Sequence, residues 1–211
     1  MKTQSLIEML ARGAGPAPRA PAAQRLLPVM LLGLLISSAL ALLIMGPLPL
    51  PELLSPATWI KLSYAGTLML AASVLTARLA RPLAPQKPAR AAVVAVFVAM
   101  ALVGAVSLAM TPAAEMASAI LGQTWLVCPW LLMGLSLPSL AGILWAVKGL
   151  APTQLKAAGF ASGLLAGAIG AAGYSLACPE SSATFVAIWY TVGIGLTALL
   201  GRALGSSALR W

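Results

Sequence analysis

Long apolar runs alternate along this chain with short polar breaks. Six runs stand out, at residues 26–45, 57–77, 91–110, 125–147, 157–177 and 179–200. Each is close to the ~20 residues a helix needs to cross a hydrocarbon core. Pro, Gly and charge mark the breaks: Gly46-Pro47, Arg81-Pro82, Thr111-Pro112, the stretch 148–152, and Cys178-Pro179. The last break is tight, which predicts a helical hairpin from the fifth and sixth runs. The runs are apolar on every face, as lipid-embedded helices are. They lack the alternation of barrel strands. The pattern therefore predicts an all-α protein, a polytopic membrane helical bundle of six transmembrane helices. It divides into an N-terminal segment (1–25), a transmembrane domain (26–204) and a short tail (205–211). The first run is read as a span and not a cleaved signal, since Gly46-Pro47-Leu48-Pro49 is no small-x-small cleavage site.

Composition agrees with this pattern. Of 211 residues, 61% are hydrophobic and 8% charged, against roughly a quarter charged in soluble domains. The net charge of +9 would suggest nucleic acid were it not for where the cations fall. Lys2, Arg12, Arg19, Arg25, Arg78, Arg81, Lys87, Arg90, Lys148, Lys156, Arg202 and Arg210 all flank one side of the six spans. Glu52, Glu115 and Glu180 lie in the opposite loops. Cationic loops stay in the cytoplasm, so both termini are expected in the cytoplasm. The charge is then a topology signal, facing membrane lipids and calling for no direct nucleic-acid contact. Lys61 is the exception. Near the outer end of the second span, it is expected to snorkel to the interface, with Trp59, Tyr64 and the terminal Trp211 as aromatic anchors.

The candidate chemistry is small in extent. Cys128 and Cys178 fall on the outer side, each followed by proline (Pro129 and Pro179), a residue suited to the first turn of a helix. Each sulfur is expected near a helix N-terminus, where the dipole favours thiolate. Three readings stand open: a disulfide in an oxidising compartment, a soft-metal site completed by Glu180, Glu115, water or carbonyls, and two small buried packing residues. The chain has no histidine and no Cys-x-x-Cys. In the N-terminal segment, Ser5-Leu6-Ile7-Glu8 matches a capping box. It predicts a two-turn helix with Leu6, Ile7, Met9 and Leu10 on its apolar side, fit for a partner's groove or a membrane surface and marginal alone, where the segment would be disordered. Residues 13–21 read as linker. Gly159, Gly163 and Gly167 predict close helix packing. No catalytic triad, phosphate loop or carboxylate pair is present, so no enzymatic activity and no resident cofactor is expected, beyond transient soft-metal binding at the cysteines.

Several segments together resemble a known family. They are Leu6-Ile7-Glu8-Met9-Leu10-Ala11, Trp59-Ile60-Lys61-Leu62, the block from Gly122 through Trp125 and Cys128 to Pro129, and Cys178-Pro179-Glu180 followed by Phe185-Val186-Ala187-Ile188-Trp189-Tyr190. This set is similar to the NrsF-type anti-sigma factors, six-helix inner-membrane proteins. The resemblance implies a protein that binds an extracytoplasmic-function sigma factor of the sigma-F kind and releases it under metal or oxidative stress. It makes Cys128 and Cys178 the sensor thiols, with Trp125, Pro129, Pro179 and Glu180 as their supports. Relatives often carry His near these cysteines, where Gln123 and Ala177 stand here; this favours thiol redox chemistry over direct metal coordination. The rival reading is a small membrane transporter or metal-handling permease. Its path would have to be built from Ser63, Thr67, Ser73, Ser107, Ser136, Ser162 and Tyr174, with no buried acid.

Overall fold

A computed structural model describes residues 3–13, 21–81 and 85–210. Residues 14–20 of the linker, Pro82 and Trp211 lie outside the described residues, as do Lys2 and the side chain of Leu6. All regular structure among the described residues is helical, with no strand. In chain order the helices are α1 (Thr3–Gly13), α2 (Pro21–Met45), the single turn α3 (Leu50–Leu53), α4 (Pro56–Leu79), α5 (Lys87–Ala109), α6 (Met116–Leu121), α7 (Cys128–Lys148), α8 (Leu155–Tyr174) and α9 (Ala183–Ala208). Six of them, α2, α4, α5, α7, α8 and α9, are long and apolar enough to cross a membrane.

Local chemistry sets the helix starts. At α4, Ser55 accepts a hydrogen bond from the Thr58 amide (3.4 Å) and Pro56 fills the first turn, a pairing of N-cap and proline that needs no donor at the first position. Pro88 and Pro129 occupy the same place in α5 and α7. The sixth span departs from expectation. It begins not at Pro179 but at Ala183, where the Ser182 hydroxyl accepts from the Phe185 amide (3.3 Å), and it runs on to Ala208. Cys178 instead closes the last turn of α8, its amide donating to the Tyr174 carbonyl (3.0 Å). The helix-start expectation therefore holds for Cys128, the first residue of α7, and fails for Cys178. That residue sits at the carbonyl end of a helix, where the dipole does not favour an anion.

Helix α8 is the hub. Every residue from Ala161 to Ser175 is buried, and the helix packs against α2, α4, α7 and α9. Its glycines explain how it fits. A Cβ placed on Gly159 would meet the Gly201 carbonyl and lie 2.7 Å from Gly205 Cα; one on Gly163 would meet the Thr197 carbonyl and lie 2.7 Å from Ala198 Cα; one on Gly167 would lie 3.0 Å from Ile194 Cα. The backbones of α8 and α9 thus touch along their length, the close packing expected of small residues four apart. At the periphery, Leu43 is 82% exposed and Trp145 77%; Leu35, Leu102 and Val106 are likewise exposed. Apolar surface on this scale belongs against lipid.

The regular helical ladder is broken within α9. Residues Val186–Tyr190 form a single π-helical turn. Such turns carry an extra residue, re-aim the side chains beyond them, and recur at functional sites. Here the turn points Trp189 at the loop before α7 and Tyr190 at the interior.

Candidate functional site

The end of the bundle carrying the two cysteines is built from four segments: the start of α4, the loop before α7 with its first turn, the end of α8 with the loop after it, and the π turn of α9. Cys128 and Cys178 are both fully buried free thiols. They lie within electrostatic range of each other and both approach the hydroxyl of Tyr174. Tyr190 approaches Cys178 from the π turn, and its ring sits 5.5 Å from that of Tyr174 at a 48° tilt. The two hydroxyls have the sulfurs beside them, yet neither makes a well-directed hydrogen bond to any group. A buried hydroxyl left so costs about 1–3 kcal/mol. A thiolate, or a sulfur bound to a metal, would be a far better acceptor for both.

Lys61 is part of this cluster, contrary to the snorkelling expected of it. It is 2% exposed, and its ammonium donates to the Cys178 carbonyl at 2.7 Å. Glu52 and Glu180 are the carboxylates within electrostatic range. These groups, with Thr58 and Ser181, line a cavity of about 320 Å³ reaching to Cys178. Tyr64 is no interface anchor either: it is buried, and its hydroxyl pairs with Thr191 Oγ1 at 2.8 Å, tying α4 to α9. Trp59 is 61% exposed.

Glu180 clamps the two thiol-bearing segments together. One carboxylate oxygen accepts from the Gln123 amide (2.7 Å), the Thr124 amide (3.0 Å) and the Thr124 hydroxyl (3.0 Å). Gly122 makes this possible. Its backbone (φ +57°, ψ −162°) is a conformation essentially reserved for glycine, and a Cβ there would lie 2.6 Å from Glu180 Oε2. Trp125 packs at a 47° tilt against Trp189, ring centres 5.4 Å apart, and the Trp189 indole N–H donates to the Ile120 carbonyl (2.9 Å). Pro129 is buried against Gly193 of α9, while Pro179 borders the cavity. Glu115 stands apart, exposed in the turn before α6. Among the described residues no three His, Cys, Asp or Glu side chains converge to hold a metal, so a metal here would have two sulfurs and would draw its other ligands from hydroxyls, carbonyls or water.

Sequence reasoning missed Tyr174, Tyr190 and the role of Lys61. One signal was available, since Tyr174 precedes Cys178 by four residues, one helical turn. At the start of the chain, α1 exposes Ile7 (59%), Met9 (59%) and Leu10 (67%).

The Lys61 contact has a measurable consequence. Lys61→Met keeps the length and apolar stem but removes the donor that pins Cys178. A hydrogen bond to a charged group contributes about 1.5–3 kcal/mol, or roughly 10–100-fold in a local opening equilibrium. The amides of Ala177 and Cys178, which donate to the Tyr174 carbonyl, should exchange with solvent about tenfold faster or more. Those in the middle of α8 should be unchanged. Unaltered exchange at Ala177 and Cys178 would mean the ammonium does not hold this loop.

With only helices among the described residues, six of them of span length, and with two thiols and two tyrosines gathered in one buried cluster, the chain has the build of a membrane protein. The chain belongs to the NrsF family, described as negative regulator of sigma F, whose model matches residues 10–211. Members of this class are regulatory proteins, not enzymes. Over 216 residues the chain is 38% identical to a probable anti-sigma-F factor NrsF of Azospira oryzae, and over 217 residues 37% identical to the anti-sigma-F factor NrsF of Caulobacter vibrioides. Both alignments cover the whole of both chains. No solved structure matches the fold.

Proposed function

We propose that this chain holds an extracytoplasmic-function sigma factor at the bacterial inner membrane and releases it when Cys128 and Cys178 are modified from the periplasmic side. The observation that carries this reading is the convergence of both thiols on Tyr174, the last residue of the hub helix α8. The other end of α8 is locked to α9 by glycine contacts. Orientation is supported by the charges. Arg25 and Lys148 border one groove at the end of the bundle away from the thiols, and Lys156, Arg202 and Arg210 border another; that end faces the cytoplasm if cationic ends stay inside.

The switch is driven by bond making at sulfur. In a two-electron oxidation the thiols lose two protons and pass two electrons to the oxidant as an S–S bond forms. A soft metal instead displaces the two protons and forms two S–metal bonds. Either event draws the start of α7 toward the end of α8. The backbones of α8 and α9 are in contact, so the movement has little slack to absorb it and passes to the cytoplasmic end. To release the sigma factor it must favour one of two arrangements there. The sigma-binding surface includes Leu6, Ile7, Met9 and Leu10 of α1.

The test is co-purification. The sigma factor should elute with the protein from detergent-solubilised, unstressed membranes, and should be lost after treatment with peroxide or cadmium. Elution without any sigma factor would overturn the reading, and a co-eluting membrane partner would point to an assembly subunit instead.

A further inference from the structure

The cation-rich end of the bundle carries a feature that repression of a sigma factor does not call for. Arg90 in the first turn of α5 and Arg202 near the end of α9 stand at the mouth of a slot of about 390 Å³ between α4, α5, α8 and α9. The slot is otherwise lined by apolar side chains, Leu75, Leu79, Val94 and Phe160 among them. Arg202 also borders an adjoining cavity of about 430 Å³, with Lys156 and Arg210. Arg202 is common to the two cavities, with Arg90 bordering the first and Lys156 and Arg210 the second. Among the described residues no carboxylate borders either cavity; Glu52, Glu115 and Glu180 belong to the opposite end. Arg90 donates to the Gln86 side chain (2.6 Å), a neutral partner.

We propose that this slot is a binding site for an anionic phospholipid, its phosphodiester held by Arg90 and Arg202 and its acyl chain laid against Leu75, Val94 and Phe160. This rests on the membrane location in the proposed function. The dimensions fit. At 1.5 Å rise per residue, Val94 lies about 6 Å deeper along α5 than Arg90, the step from a headgroup phosphate to the first methylenes. Guanidinium groups match a phosphate bidentately, and basic pockets between membrane helices on the cytoplasmic side take anionic headgroups. An acidic protein surface would satisfy the cations but would leave the apolar slot empty. A lipid satisfies both. An occupied slot would also brace α4 and α5 against α8 and α9, at the end from which the sigma factor is held.

The test uses the full-length protein in a neutral detergent, titrated with phosphatidylglycerol or with phosphatidylcholine, while the thermal midpoint is followed. Phosphatidylglycerol should raise the midpoint at an at least tenfold lower mole fraction than phosphatidylcholine, and the difference should shrink in high salt. Arg90→Gln with Arg202→Gln should remove the difference. Val94→Trp, which fills the slot and keeps every charge, should remove it as well, and guards against a charge variant that simply folds poorly. Equal response to the two lipids would overturn the proposal. So would a preference that survives both variants, or one that inorganic phosphate reproduces in full. Loss of sigma-factor co-purification in the Arg variant, with the lipid preference intact, would assign these cations to the protein partner instead. Because the lipid titration needs no sigma factor, its failure is distinguishable from failure of the regulatory reading.

Discussion

Serine at Cys128 or at Cys178 should leave repression intact and abolish induction. Under oxidant or soft-metal challenge, a reporter of the sigma factor's promoters should stay at its unstressed level in either single variant and in the double variant alike. That is the non-additivity expected of two groups acting as one unit. Serine keeps roughly the volume of cysteine but loses its thiolate nucleophilicity and soft-metal affinity. It also supplies a better hydrogen-bond acceptor beside the Tyr174 hydroxyl, which has no well-directed partner in the native cluster. The variants should therefore be at least as stable as the native protein, with an unchanged or raised thermal midpoint. This separates sensing from packing. Were the cysteines only packing residues, their loss would loosen the bundle and give leaky repression. Leaky expression, or two single variants that each keep half the response, would sink the shared-sensor reading. Mass-tagging of free thiols before and after challenge distinguishes the chemistries: labelling restored by a reductant marks a disulfide, and labelling restored by a chelator marks a metal. If both thiols stay fully labelled through a full response, neither is the sensor.

Much of the architecture was legible in the chain, and the reasons differ from element to element. The spans were readable because a bilayer demands apolar residues on all faces, a one-dimensional property. The glycines at 159, 163 and 167 announced close packing for a similar reason, since small residues four apart need no knowledge of the partner; that the partner is Gly201 and Gly205 of α9 was not legible. The sixth span was misplaced because Cys128-Pro129 and Cys178-Pro179 look alike in sequence. What separates them is the Ser182 cap further on, which starts the helix after a loop. Lys61 was misjudged because the fifth residue of a span read from 57 is within snorkelling reach. Its fate is decided by a carbonyl 117 residues away, which no local rule reveals. The Glu180 clamp and the aim of Tyr190 were hidden for the same cause. Each depends on backbone detail, a glycine-only conformation at Gly122 and a π turn at Val186–Tyr190, that hydropathy does not encode.

Aspartate in place of Ile7 and Leu10 should release the sigma factor without any stress. Both side chains are more than half exposed on α1, so the substitutions remove no packing from the transmembrane bundle, and insertion and folding should be unaffected. An apolar helical face of this kind is energetically justified when a partner's groove covers it. Truncating a central anchor of such a contact costs about 2 kcal/mol or more. Burying a carboxylate in its place adds a desolvation cost, so the pair should lower affinity by about a thousandfold or more. At that loss repression fails, and reporter activity in unstressed cells should approach that of cells lacking the protein. Gln4→Asp adds one negative charge, half that of the pair, on the polar side of α1 and should change nothing, which argues against a general effect of leader charge on the membrane. The thiol and leader variants then give opposite phenotypes, locked and open. Combining Cys178→Ser with the Ile7→Asp and Leu10→Asp pair should be open, because a sensor cannot retain a partner that no longer binds. A leader variant that still represses fully would move the contact to the loops around Arg81 and Lys148. A combined variant that stays locked would mean the thiols act on some surface other than the one α1 presents.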